Sequence, residues 1–201
     1  MTPADLPGAP PGAPTGAPRG AFGPARRSDW DLRTFAHLGG GHSAHARPLR
    51  AALLMARGSS GLLLVVLLLA TWLSEAPFAS AALILLLAGA TQYAGKRLAH
   101  RHGAPRPYHL GLSPNHLQQG ARGGWPSSHA LSMACVFGAL WVLAGPSPLW
   151  CAAVLITLAT GWARVYAGAH FPSDVVAGWG LGLVSGTLGM ALCMPWLLTL
   201  A

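Results

Sequence analysis

The residues Arg164, His170 and Asp174 form the part of this sequence best suited to chemistry. His170 follows Arg164 by six positions and precedes Asp174 by four, and Asp174 is the only acidic residue after Glu75. A histidine ring can attack phosphorus, a carboxylate can fix the ring's tautomer, and a guanidinium can hold phosphoryl oxygens. The spacing predicts a phosphoryl-transfer site with His170 as nucleophile and Asp174 as its orienting partner. Taken alone, Asp174 is more often an N-cap of the following helix, a role we also expect of it.

A second histidine, His129, follows Pro126, Ser127 and Ser128, a string typical of a helix start. Free backbone N–H groups and the helix dipole at such a start favour a bound anion, so Ser127 and Ser128 are candidate phosphate-binding residues. His129 is the candidate general acid, which protonates the leaving oxygen and later activates water. Without the other motifs, this string would indicate only an ordinary helix cap.

Two arginines, Arg106 and Arg164, are the candidate clamp for the non-bridging phosphoryl oxygens, since a guanidinium stays charged and offers paired donors. Two such clamps and helix-end amides can neutralise the group without Mg²⁺. We expect no metal and no cofactor. Four further histidines lack a neighbouring cysteine or carboxylate at ligand spacing, which favours a solvated loop over a metal site: His100, His102, His109 and His116.

Together these pieces make the chain resemble the PAP2 (type 2 phosphatidic acid phosphatase) superfamily, whose signature reads K-x6-RP, PSGH and SR-x5-H-x3-D. The third part departs from the signature only at Ala163, which replaces its Ser, and the second only at Ser128, which replaces its Gly. The resemblance covers residues 30–190. It implies an all-α membrane helix bundle with a core like that of the vanadium haloperoxidases, and a phosphohistidine intermediate at His170.

The first part of the signature is degraded, because Ala99 stands where the family has its lysine, seven residues before Arg106. Lys96 can take that role if the segment after it carries an insertion, with Arg97 and Arg101 as substitutes. Basic residues that mark a membrane interface would look the same.

Composition indicates which elements carry these residues. With 52% hydrophobic and 9% charged residues, the chain is too apolar for a soluble domain. The apolar runs lack the alternation of a membrane barrel, so we predict about five transmembrane helices, some extending into neighbouring polar residues. The predicted spans are 58–73, 78–93, 128–144, 149–163 and 175–198. Every motif falls at one end of a span, and hairpins between the spans would bring these ends to one side of the membrane.

The segments before the first span differ in composition. Residues 1–28 are rich in Pro, Gly and Ala and are predicted to be a disordered tail. Residues 29–57 are predicted to be an amphipathic interfacial lead-in, and residues 58–201 the phosphatase domain. The thirteen basic residues lie at span ends and in motif loops, which favours anionic lipid over nucleic acid as a partner.

The resemblance implies a metal-independent lipid phosphatase. Candidate substrates are undecaprenyl pyrophosphate, phosphatidic acid and phosphatidylglycerol phosphate. A lipid phosphotransferase would use the same residues, and the missing lysine motivates a third reading, a non-catalytic lipid-binding protein. Similarity to bacitracin-resistance phosphatases implies a bacterial inner-membrane protein with an extracytoplasmic site. By the positive-inside rule, the distribution of basic residues instead favours a cytoplasmic site. Arg106, however, is required to bind the anion, so its position does not report the orientation in the membrane.

Overall fold

The structure is a computed structural model that describes residues 27–120 and 122–199. Within these ranges the chain forms six α-helices and two short 3-10 turns, at residues 41–43 and 107–110. The α-helices are α1 (Asp29–Leu38), α2 (Ala46–Leu73), α3 (Phe78–His102), α4 (Ser128–Ala144), α5 (Pro148–Tyr166) and α6 (Pro172–Leu198). The predicted all-α fold is confirmed. The predicted disordered tail, except for Arg27 and Ser28, lies outside the described residues.

The predicted spans correspond to α2 through α6, and four of these helices are longer than their apolar runs. The largest extension is in α2, which begins twelve residues before the predicted span at Gly58 and takes in much of the predicted lead-in. In the described part of the chain, α2, α3, α5 and α6 are long and apolar enough to cross a membrane. The shorter α4 has 17 residues, about 25 Å of helix. The chain is therefore a multi-pass membrane protein.

Helix α4 is the centre of the bundle and contacts each of α2, α3, α5 and α6. It belongs to the apolar core of the bundle and contributes the fully buried Cys135 and Ala139. The outer helices instead expose large apolar side chains, among them Leu86, Leu155 and Leu192. Because a lipid solvent accepts such side chains, the bundle can bury its polar groups at one end and present hydrocarbon around its circumference.

A row of glycines brings α6 against α4. A Cβ atom added at Gly182 would lie 2.1 Å from the Leu131 carbonyl oxygen, and one at Gly186 would lie 2.0 Å from that of Cys135. Gly178, one turn earlier, lies against the Ser127 carbonyl in the same way. Spaced four apart, these residues allow the backbones to touch, as small residues do in membrane helix pairs. The contact sets the start of α6 beside the start of α4.

The motif residues all lie at one end of the bundle, as predicted. The C-terminal ends of α3 and α5 and the N-terminal ends of α4 and α6 meet there, and α1 packs across α5 and α6. Phe35 of α1 meets the buried Phe171 ring edge to face, with centroids 5.5 Å apart. The opposite end consists of two short connections, around Glu75 and Pro146.

Candidate active site

His170 lies in the turn between α5 and α6 and is 3% exposed. Its Nδ1 lies 3.0 Å from the Gly124 carbonyl oxygen, and its Nε2 lies 3.1 Å from Arg106 Nη1. A carbonyl can only accept and a guanidinium can only donate, so Nδ1 carries the proton and Nε2 keeps its lone pair. The ring is thus held in the tautomer that a nucleophile needs.

Asp174 contributes to this arrangement in a different way from the one predicted. One carboxylate oxygen, Oδ2, lies 3.4 Å from His170 Nδ1, farther than the Gly124 carbonyl. Helix α6 begins at Pro172 with Phe171 as its N-cap, so the prediction that Asp174 is the N-cap is wrong. Asp174 occupies the third helical position, and its Oδ2 accepts a hydrogen bond from the Phe171 amide at 3.0 Å. It fixes the turn that carries His170 while facing the ring.

The electrostatic surroundings keep the His170 ring neutral. The pKa of His170 is lowered to about 4, first by burial and then by the positive charge of Arg106. The hydrogen bond to Asp174 and its charge raise the pKa of His170, and the charge of Arg164 lowers it. The balance favours the neutral ring over the imidazolium at physiological pH.

Arg106 follows α3 and spans the site. Its Nε donates to the Arg122 carbonyl at 3.1 Å, and its Nη1 and Nη2 donate to the carbonyls of Ala169 and Gly123. These bonds hold the guanidinium against His170 Nε2, where an attacking nitrogen would meet phosphorus. The predicted proximity of Arg106 and His170 is a feature of the structure.

Arg164 lies in the last turn of α5 and is 8% exposed. Its backbone carbonyl accepts hydrogen bonds from the amides of Ala169 and His170, which closes the turn toward α6. Its Nε is buried and makes no hydrogen bond to any residue in the described ranges. A buried guanidinium nitrogen without an acceptor is rare, and an anion would satisfy it.

The start of α4 forms the remaining wall. The predicted helix start is present, and Ser127 is its N-cap, with Oγ 3.5 Å from the Ala130 amide. The Ser127 amide donates to the Asp174 carbonyl at 2.8 Å. The latter bond joins the second motif to the third. His129 Nε2 is buried and unpaired within the described ranges. The first two amides of α4, those of Ser128 and His129, have no acceptor within the helix and can bind an anion.

Lys96 lies apart from this buried network. Its ammonium is exposed and donates to Gln92 at 3.4 Å. The preceding residue, Gly95, packs against Ser128, so α3 places Lys96 beside the start of α4. Arg97 points to Tyr93, and Arg101 is exposed. Lys96 can reach the site only from its rim.

Two contributors were missed by sequence reasoning. Gly124 supplies the acceptor for His170, but a backbone carbonyl leaves no mark on residue type. Arg27 pairs with Asp174, at 2.7 Å from Nη1 to Oδ1, although its surrounding sequence is typical of disorder. Among the residues described, no group of three or more His, Cys, Asp or Glu side chains is arranged to hold a metal ion.

Comparison with known proteins identifies the family. The profile of the PAP2 superfamily matches residues 77–197, more than half of the chain, and the chain belongs to that superfamily. A protein named undecaprenyl-diphosphatase from Sulfolobus acidocaldarius is 39% identical over 59 residues, which are 29% of this chain and 28% of that protein's length. The crystal structure of a transmembrane PAP2 type phosphatidylglycerolphosphate phosphatase from Bacillus subtilis is 21% identical in sequence, with a TM-score of 0.48, over 83% of this chain and 95% of that one.

Proposed function

We propose that this member of the PAP2 superfamily is a lipid phosphatase that hydrolyses a lipid phosphate or pyrophosphate through a phosphohistidine. The observation that carries the proposal is the His170 ring, with Nδ1–H on a carbonyl, an unprotonated Nε2 that accepts from Arg106 where phosphoryl oxygens would bind, and a second buried arginine, Arg164, nearby. Few structural roles would require a buried neutral ring in contact with one guanidinium and near a second at the end of a membrane bundle.

The first chemical step forms a bond from His170 Nε2 to phosphorus and breaks the bond from phosphorus to the leaving oxygen. His129 enters this step as the imidazolium and donates a proton to that oxygen, which departs as the lipid alcohol or lipid phosphate and leaves the His129 ring neutral. The phosphorylated ring is positively charged, and its Nδ1–H remains on the Gly124 carbonyl with the Asp174 carboxylate 3.4 Å away. Both groups stabilise that charge.

In the second step, water attacks phosphorus and the bond to Nε2 breaks. His129 takes a proton from the water, and inorganic phosphate leaves with His170 restored. Arg106, Arg164 and the first-turn amides of α4 stabilise the phosphoryl oxygens throughout. Because these groups supply the positive charge, we propose that catalysis needs no metal.

The proposed substrate is undecaprenyl pyrophosphate, with phosphatidic acid and phosphatidylglycerol phosphate next. The activity for which the Sulfolobus relative is named and the similarity to bacitracin-resistance phosphatases support this order. We place the protein in a bacterial inner membrane with its site on the extracytoplasmic side, where the pyrophosphate of a lipid carrier is released.

The proposed function is tested by phosphate release from these three lipids, using purified protein in detergent with EDTA. We expect release that persists in EDTA and is blocked by vanadate, which mimics five-coordinate phosphorus beside His170. Strict dependence on Mg²⁺ would contradict the mechanism. Absence of release from all three lipids would favour a non-catalytic lipid-binding protein.

The proposed orientation is tested by labelling with an impermeant maleimide. Cys135, Cys151 and Cys193 are first replaced, and a single cysteine is introduced as Gln119→Cys in the loop beside the site. Pro146→Cys, in an exposed connection at the opposite end, is the matched control. We expect Gln119→Cys to react in intact spheroplasts and Pro146→Cys to react only after lysis; the reverse pattern would place the site in the cytoplasm.

A further inference from the structure

Arg27 precedes α1 and lies 50 residues before the part of the chain that matches the family. Its side chain is nevertheless only 7% exposed and reaches the middle of the site. Its Nη1 lies 2.7 Å from Asp174 Oδ1, its Nη2 lies 3.1 Å from Oδ2, and its Nε donates to the Pro105 carbonyl at 2.8 Å. This is a two-point ion pair between a guanidinium and a fully buried carboxylate, and its Nη2–Oδ2 contact is also a hydrogen bond.

The pair is held from several directions. The Arg27 guanidinium stacks on the Phe171 ring, 4.6 Å from its centroid. A Cβ atom added at Gly124 would lie 2.8 Å from Asp174 Oδ2 and 3.0 Å from Arg27 Nη2. The pair therefore packs directly against the residue whose carbonyl orients His170.

Helix α1 anchors Arg27 in place. Asp31, one turn further on, has Oδ2 3.5 Å from Arg27 Nη1 and is 3% exposed. The same carboxylate accepts hydrogen bonds from the Ser173 amide at 3.1 Å and hydroxyl at 2.7 Å. Asp31 of α1 therefore binds Ser173, and Arg27, just before α1, binds the next residue, Asp174. The two contacts attach this segment to the first turn of α6. An arginine serving only a lipid headgroup would not need this burial or this geometry.

The contacts around His170 show what the pair can control. Its Nδ1–H has two acceptors, the Gly124 carbonyl at 3.0 Å and Asp174 Oδ2 at 3.4 Å. A carboxylate that shares its charge with a guanidinium is a weaker acceptor than a bare one, and a two-point pair cannot rotate freely. Arg27 can thus set how strong an acceptor the Asp174 carboxylate is for the Nδ1–H of His170.

We propose that Arg27 is a positioning residue that restrains the Asp174 carboxylate, so that His170 keeps its Nδ1–H on Gly124 and its Nε2 toward phosphorus. The inference rests on the proposed function, because it assigns Arg27 a role in that reaction. It makes the segment before α1 part of the active site.

The charged and titratable groups facing His170 come from every element around it. They are Arg27 before α1, Arg106 after α3, His129 of α4, Arg164 of α5 and Asp174 of α6. Replacing Arg27 leaves the Asp174 charge unshared, which stabilises the imidazolium and raises the pKa of His170. More of the enzyme is then protonated at a given pH.

The test compares Arg27→Gln with Arg33→Gln, which removes the same charge from an exposed position of α1. For Arg27→Gln we expect kcat to fall by about 10- to 100-fold with little change in KM, as expected when a positioning group is lost. We also expect the acid limb of the pH profile to move to higher pH. Arg27→Lys should recover part of both effects, and Arg33→Gln should resemble the wild type.

If the wild type is active and Arg27→Gln has an unchanged acid limb and a normal kcat, the role proposed for Arg27 is refuted while the proposed function stands. If the wild type releases no phosphate, the proposed function fails, and the role of Arg27 is decided by ¹⁵N NMR of histidine-labelled protein, with His170→Ala for assignment. We expect Arg27→Gln to titrate His170 at higher pH than the wild type does; identical titration would refute it. If Arg27→Gln does not fold, Arg27→Lys decides by the same measurement.

Discussion

The turn from Arg164 to Asp174 and the last two turns of α3 are both rich in polar residues, yet only one of them is a buried network. In the turn, Arg164, His170 and Asp174 are each less than 10% exposed. On α3, Lys96, Arg97 and Arg101 are exposed. The comparison teaches that residues of similar type at one end of a bundle differ in burial and in fixed partners, and only the buried turn has the fixed partners that we expect of a catalytic group.

The strongest challenge to this comparison is the removal of the His170 ring. We expect His170→Ala to lose essentially all phosphate release, because the attacking nitrogen is gone. His100→Ala, an exposed position at the end of α3, is the matched control and should remain active. Near-normal release by His170→Ala would show that the buried turn is not the catalytic region.

Asp174→Asn tests the carboxylate within the same turn. The amide keeps the size of the side chain but loses the charge that pairs with Arg27 and faces His170. We expect kcat to fall by about two to four powers of ten, while binding of vanadate persists. A decrease in kcat of less than about threefold would show that Asp174 only stabilises the start of α6 and does not act on His170.

The pH profile separates a buried histidine from an exposed one. Only neutral His170 can attack, and because the pKa of His170 is about 4, we expect the acid limb of kcat/KM near pH 4 rather than near 6.5. A depressed pKa of this base also means that its contribution to stability is present above about pH 6.5 and is lost as the pH falls toward 4. A limb at 6.5 would indicate a solvated ring.

The smallest expected effect is on the exposed face of α3. If Lys96 contacts the phosphoryl group from the rim, Lys96→Ala should lower turnover by about tenfold or less. The size of this decrease should become smaller as the salt concentration rises. Arg101→Ala, one helical turn beyond, should have no measurable effect. Equal and mild losses in both variants would assign both residues to the membrane interface.

Much of the architecture could be predicted from the sequence, since long apolar runs without alternation permit only helices in lipid. Helix ends were less predictable: α2 begins at Ala46 because Arg47, Arg50 and Arg57 are good helix formers and do not interrupt the helix. The Arg164 to Asp174 segment was predicted to join two helices, and it does, but α5 ends three residues later and α6 begins three residues earlier than predicted, so only five residues connect them.

The remaining parts of the site depend on contacts that residue types do not encode. The Gly124 carbonyl is chemically the same as any other, and only the fold brings it to His170. Arg27 lies in a sequence dominated by Pro, Gly and Ala, and its partner is 147 positions away. The glycine spacing along α6 is a readable signal for close helix packing that the motif-based reasoning overlooked.

The contact between α4 and α6 has a consequence for inherited variation in this protein. At Gly182 a single added methyl group would need the Leu131 carbonyl to move by about 1 Å, because real Cβ atoms essentially never approach closer than 3.0 Å. That displacement would separate the two helices whose first turns carry His129 and Asp174, and a misplacement of about 1 Å can cost a hundredfold in rate. A Gly182→Ala change within α6, two turns from Asp174, would then have the genetic effect expected of a change in the proposed site itself.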